Sequence, residues 1–104
     1  MANIHMSRPP RLSATESLIL DLLAACGERY GLEMVEASGG QLKRGTVYVT
    51  LGRMVEKGYL TSAQEAKASG AIGLPRRMYR LTPLGRRVRQ AWGELRFKLA
   101  WEGA

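Results

Sequence analysis

Side chains able to do covalent or proton-transfer chemistry are scarce in this sequence. Its one histidine is His5. Its one cysteine, Cys26, ends an apolar stretch with no basic or histidine neighbour in sequence to activate the thiol. There is no metal-ligand spacing, no glycine-rich phosphate loop with a lysine, and no evident acid pair. The chain reads as a non-enzyme that needs no cofactor or metal. What it offers is cationic: 16 Lys and Arg against 9 Asp and Glu, a net charge of +7. That balance suits a polyanion, nucleic acid first and an anionic membrane surface second.

The charge is segregated. Between Ala14 and Leu42 lie five acids (Glu16, Asp21, Glu28, Glu33, Glu36) and one base, Arg29, whereas Arg76 to Gln90 holds six arginines and no acid. One end of the molecule should therefore be a positive surface.

The richest candidate stretch is "RGTVYVTLGRM", Arg44 to Met54. Its β-branched and aromatic residues suggest a strand, and Gly45 and Gly52 would each weaken a helix by about 1 kcal/mol. Strand alternation fails after Leu51, however. At 100° per residue, Val47, Leu51, Met54 and Val55 fall on one apolar arc with Tyr48 at its edge. Thr46, Val49, Thr50, Arg53 and Lys57 take the other side. The spacing predicts a helix over 44–57, with Gly58 after it as a C-cap. Thr46, Val49 and Thr50 can meet base edges or thymine methyls, and Arg53 a guanine or a phosphate; the plainer reading is a solvated face. Lys43 and Arg44 oppose the helix dipole, which makes sense beside phosphates. Gly52 has no role here beyond room for close approach.

Other elements must hold that helix. Ser13 and Glu16 have capping-box spacing ahead of "LILDLLAAC". A first helix is expected over 14–26, with Leu18, Leu22, Ala25 and Cys26 at its apolar period and Gly27 as its stop. A short helix is expected over 32–37, with Leu32, Val35 and a further candidate, Met34, inward, ended by "SGG". "YLTSAQEA" (59–66) and "RRMYRLT" (76–82) read as strands of a hairpin about a Gly-rich loop at 67–75, with Met78 and Leu81 inward. Arg76 and Arg77 border that hairpin and should meet phosphate; the alternative is a charged hairpin surface. Of Arg86, Arg87 and Arg89, one is expected at the polyanion.

Thr82 and Pro83 open a last helix reaching about Trp101. Leu84, Val88, Ala91, Trp92, Leu95 and Leu99 form one stripe, and Phe97 and Trp101 lie on another flank. A helix apolar on two flanks is buried on two sides, and in so small a domain the second side should meet another subunit. Trp92, Phe97 and Trp101 read first as core and dimer packing. The sharper reading is a site for a small planar apolar ligand at the two-fold axis.

The expected fold is mainly α with a small β-hairpin: a winged helix-turn-helix whose third helix enters a DNA major groove, followed by a C-terminal dimerisation helix. Residues 1–12 are expected as a basic arm, with 1–6 a candidate appended leader ahead of the second Met. Residues 13–82 form the DNA-binding domain and 83–104 the dimerisation helix. One cysteine excludes an intramolecular disulfide. The longest apolar run is too short for a membrane span, and no signal peptide is visible. A cytoplasmic protein is expected.

Three segments, "RYGLEMVEAS", "RGTVYVTLGRMVEKGYLTS" and "GLPRRMYRLTPLGRR", resemble the PadR-type transcriptional regulators of bacteria. The resemblance spans about 13–90 and continues into the last helix. Its most specific part is the full Pro-basic-basic-x-Tyr-x-Leu-Thr-x-x-Gly string from Pro75 to Gly85. It implies a dimeric winged-helix repressor on a pseudo-palindromic operator, with the last helix packed or swapped across the dimer. It also implies, for short members, a flat aromatic ligand held between subunits against a tryptophan. It adds phosphate contact to the core-edge reading of Tyr48. The chain departs from the family at Tyr48-Val49-Thr50-Leu51, where Tyr-Pro-Ala-Leu is common. Readings as a ligand sensor, or as a protein- or RNA-contacting module without sequence-specific DNA binding, stay open beside the repressor.

Overall fold

The computed structural model describes residues 11–65 and 76–102. The expected arm, apart from Arg11 and Leu12, and the expected loop at 67–75 lie outside the described residues, as does the Trp101 side chain. The order is α1 (Ala14–Cys26), β1 (Arg29–Tyr30), α2 (Gly31–Ala37), α3 (Arg44–Glu56), β2 (Leu60–Gln64), β3 (Arg77–Leu81) and α4 (Pro83–Glu102).

Helix α1 begins with the predicted capping box: Ser13 N–H donates to the Glu16 carboxylate (2.9 Å) and Glu16 N–H to Ser13 Oγ (3.1 Å). It ends at Gly27, whose φ of 81° a side chain would strain. Its inward face is Ile19, Leu20 and Leu23, all buried. The predicted face is displaced: Leu18 and Leu22 are partly buried, and Ala25 and Cys26 are exposed. The stretch is apolar at so many positions that periodicity alone could not fix which arc faces inward. Leu12 also packs on this core, so the ordered fold starts ahead of Ser13.

In α2 the core residue is Met34, fully buried, while Leu32 is 40% exposed and Val35 lies between. The inward placement of Leu32 is thus corrected. Helix α3 confirms the helical reading of the strand-like stretch. Val47, Leu51 and Met54 lie at i, i+4 and i+7 and are buried in the main core. Each such side chain contributes roughly 1.5–3 kcal/mol by leaving water, enough to offset the two glycines.

The sheet has three antiparallel strands in the order β1-β3-β2. Strand β1 leaves no signal in the sequence, since two residues are too few to show a period. It pairs Arg29 with Tyr79 and Tyr30 with Met78, and β2 pairs Leu60 with Leu81 through Gln64 with Arg77. Strand β3 is therefore central. Its buried residues are Tyr79 and Leu81, and Met78 is only partly covered, which corrects the predicted inward Met78.

One residue, Thr82, joins β3 to α4. Its N–H donates to the Tyr59 carbonyl (3.0 Å), its hydroxyl donates to the Gly58 carbonyl (2.5 Å), and it accepts from Gly85 N–H (2.9 Å), capping α4. A Cβ on Gly85 would stand 2.1 Å from the Tyr59 carbonyl oxygen, so only glycine lets α4 seat here. The Leu-Thr-x-x-Gly part of the string thus has a local cause.

Candidate nucleic-acid interface

With one side of α3 in the core, Thr46, Val49, Thr50 and Arg53 share the other. At 100° per residue they span about a third of the helix circumference. Val49 is 55% exposed and Thr46 and Arg53 are exposed, with Thr50 partly covered. The Thr46 hydroxyl reaches the Lys43 carbonyl at 3.4 Å and the Thr50 hydroxyl the Thr46 carbonyl at 3.3 Å. Bonds that long are weak, so a base edge or phosphate can replace them at little cost. Gly45 and Gly52 lie three to four residues either side of Val49 on the same strip, and a Cβ on either would meet nothing within 4 Å. The strip is shallow, so another surface can come close to the helix backbone.

Tyr48 stands at the border of the two faces, 47% exposed. Its ring lies on Gly31, where a Cβ would come within 2.6 Å of the ring edge. Tyr48 thus packs α3 against α2 through the phenol end of its ring, whose hydroxyl oxygen would stand 2.9 Å from that Cβ. Between this contact and the hairpin runs a groove of about 480 Å³, lined by Tyr30, Leu32, Glu33, Glu36, Tyr48, Arg76 and Arg77.

Ion pairing sorts the cations. Among the described residues, Lys57 pairs with Glu16 (2.7 Å), Arg89 with Asp21 (2.9 Å), Arg80 with Glu28 and Arg76 with Glu65 (both 3.4 Å). Lys57, grouped by the helical wheel with the outward residues, therefore folds back onto α1. Lys43, Arg44 and Arg53 have no carboxylate partner among the described residues, nor do Arg86 and Arg87. Lys43 and Arg44 stand at the N-terminal end of α3, where uncompensated cations oppose the helix dipole. That placement becomes favourable when a polyanion docks beside it.

The hairpin arginines differ from each other. Arg77 Nη1 donates to Ser62 Oγ (3.0 Å) and has no ion partner among the described residues. Arg76 stacks on the Tyr30 ring, 3.9 Å from its centroid, and pairs with Glu65, which also accepts from the Tyr30 hydroxyl. Spacing gave no hint of this cluster, because Tyr30, Glu65 and Arg76 come from three separate segments.

Burial opposes ionisation of Glu16. The Lys57 ammonium and the Ser13 donors outweigh it and hold the carboxyl below its ordinary range. Burial pushes the Tyr79 phenol up, against the pull of Arg77.

At the other end, Trp92 packs on the core and Phe97 is 64% exposed. They line separate neighbouring grooves. Trp92 is with Leu12, Leu18 and Arg96 in one of about 400 Å³, and Phe97 is with Arg89 and Glu94 in one of about 570 Å³. Asp21 and Arg96 border both. Among the described residues no cluster of His, Cys, Asp or Glu could hold a metal ion, and no helix is long and apolar enough to cross a membrane.

A helix pair whose second member keeps a polar, cation-flanked face uncovered, followed by a two-stranded wing, is a winged helix-turn-helix DNA-binding domain. Within that class the chain belongs to the PadR-like family of transcriptional regulators, whose profile, described as "Transcriptional regulator PadR-like family", matches residues 19–91. That is a family of regulators, not of enzymes.

Solved structures agree in fold. A PadR family transcription regulator from Clostridium difficile is 24% identical with a TM-score of 0.65, the match covering 88% of this chain and 100% of that one. One from Eggerthella lenta is 26% identical with a TM-score of 0.67, covering 85% and 75%. Bacillus subtilis PadR in complex with operator DNA is 24% identical with a TM-score of 0.66, covering 80% of this chain and 48% of that one. No curated protein sequence matches the chain.

Proposed function

We propose that this regulator is a homodimeric, sequence-specific DNA-binding repressor that lays α3 in a major groove and the wing along the adjoining backbone. The observation that carries the reading is the combined state of the α3 face. Val49 is exposed, the two threonines are held only weakly, and Lys43, Arg44 and Arg53 lack carboxylate partners among the described residues. Taken together, an apolar residue among weakly held hydroxyls with unpaired cations beside it fits a docking face better than a solvated one. The complex of Bacillus subtilis PadR with operator DNA is consistent with it.

In this reading Thr46, Val49, Thr50 and Arg53 meet base edges, and Lys43, Arg44, Tyr48 and Arg77 meet phosphates. Dimerisation through α4 would set two α3 helices about one turn (~34 Å) apart on a pseudo-palindrome. The exposed Phe97 and Leu99 support α4 as the contact between copies. The test is selection of bound duplexes from a random pool, followed by titration of a selected and a scrambled duplex across salt. Expected is a preferred two-fold sequence with affinity falling steeply as salt rises. Equal affinity for both duplexes at every salt concentration overturns sequence specificity. Partner binding that persists at high salt without a polyanion favours a protein-contact module instead.

A second reading adds ligand control of the same equilibrium. It is favoured by the groove beside Trp92, walled by Leu12 and Leu18 on the side where α4 leaves the core. A planar apolar compound seated there should quench tryptophan fluorescence, and Trp92→Ala should remove that signal. No quenching by any planar compound ends this reading.

A further inference from the structure

The wing carries an internal substitute for a DNA phosphate. Glu65 follows β2 and Arg76 precedes β3, and Glu65 N–H donates to the Arg76 carbonyl at 2.7 Å, closing the base of the wing. Both Glu65 carboxylate oxygens face the Arg76 guanidinium, at 3.4 and 3.5 Å, and one also accepts from the Tyr30 hydroxyl. The guanidinium lies over the Tyr30 ring at 3.9 Å. Arg76 is thus held from above by a π-face and from the side by an anion. Guanidinium bonds to carboxylate and to phosphate share one fork geometry.

We infer that Glu65 restrains DNA binding by occupying Arg76 in the free protein, so that a backbone phosphate must displace the Glu65 carboxylate to gain this contact. The Arg76 and Glu65 side chains are 61% and 40% exposed, so the pair is screened and exchangeable. Contacts of 3.4–3.5 Å are long for charge-assisted bonds, leaving room for a better acceptor. Tyr30 keeps Arg76 at the wing base while the exchange occurs. The neighbouring Arg77 has no such carboxylate among the described residues. The two wing arginines therefore differ in kind: Arg77 is available from the outset and Arg76 is available in exchange. Because the contact released is to phosphate, Glu65 sets affinity for duplex DNA of any sequence.

This rests on the DNA-binding reading, and the test separates the two. Glu65→Gln keeps the side-chain shape and removes the charge. In the intact chain it should bind both a selected and a random duplex roughly three- to tenfold more tightly at low salt, with little change in salt slope, because Arg76 meets its phosphate in both complexes. Arg76→Ala should bind more weakly than wild type, and Glu65→Gln should add little to it. A wild-type protein that binds no duplex defeats the DNA-binding reading itself. If wild type binds but Glu65→Gln binds equally or more weakly, Glu65 does not restrain binding. If Glu65→Gln tightens binding as strongly with Arg76→Ala as without it, the effect is general charge removal and the exchange at Arg76 is overturned. Circular dichroism melts of each variant identify any that has lost its fold, and Glu65→Asp then gives the same comparison with the charge kept and its reach shortened.

Discussion

The Glu16 carboxylate holds the Lys57 ammonium at 2.7 Å, joining the first turn of α1 to the residue that ends α3. The same carboxylate closes the α1 capping box, so one buried acid sets the start of one helix and the end of another. Its carboxyl is held below the ordinary glutamate value of about 4.3 despite burial, by Lys57 and Ser13. A depressed carboxyl adds stability that is complete above the unfolded value and is lost as pH falls through the folded one. Glu16→Gln, which can keep the capping bond, should cost about 1–2 kcal/mol at pH 7. Urea unfolding at pH 7 and pH 3 should show that gap closing in acid.

Gly85 and Gly93 make a matched pair on α4. An alanine Cβ at Gly85 would strike the Tyr59 carbonyl, whereas at Gly93 it meets nothing within 4 Å. Gly85→Ala should destabilise by about 2–3 kcal/mol through forced displacement of the helix. Gly93→Ala should be neutral or gain up to about 1 kcal/mol from helix propensity. Thermal melts of the two variants decide the matter, and equal effects would mean that the Tyr59–Gly85 contact does not govern how α4 seats.

On α3, Gly52→Ala separates stability from binding. No neighbour opposes the new methyl, so the helix should gain up to about 1 kcal/mol, or roughly 4–8 °C in Tm. Duplex affinity should nonetheless fall, because in the proposed complex the methyl would stand where the groove wall approaches. A variant that is both hotter-melting and a better binder would show that α3 does not dock on this strip.

Val49 and Arg44 should fail differently. Val49→Ala removes the proposed apolar base contact and should reduce discrimination between selected and mutated duplexes by about 1 kcal/mol, leaving the salt slope alone. Arg44→Ala should weaken all duplexes alike and flatten the slope by about 0.9. Measured together across salt, the pair assigns reading to one residue and anchoring to the other.

How far the sequence reveals this molecule depends on how each element is held. The strand-like α3 is legible because Val47, Leu51 and Met54 keep a 3.6-residue period over the whole helix. The inward face of α1 is not, because apolar residues surround most of its circumference and tertiary contacts choose Ile19, Leu20 and Leu23. Leu32 misleads for a related reason. Its hydrophobicity is real, but it lines a surface groove while Met34 reaches the core. In strand β3, Tyr79 and Leu81 are two apart and share a face, so alternation counted from Leu81 gives the buried pair and excludes Met78. Of the candidate interface, the outward set on α3 is legible from the helical wheel. That Arg76 is already partnered is not, since its partners lie 11 and 46 positions away in the numbering.

Thr82 has no slack to give. Strand β3 ends one residue before it and α4 starts one residue after, and both its amide and its hydroxyl are bonded to the turn that ends α3 and opens β2. A coupling this short cannot act as a swivel. Any tilt of α4 must be carried as torque into β3, and through the strands on either edge to the start of α2 and to the wing. In the proposed dimer, the spacing between two copies and the pose of each α3 would therefore be geared together at a single threonine.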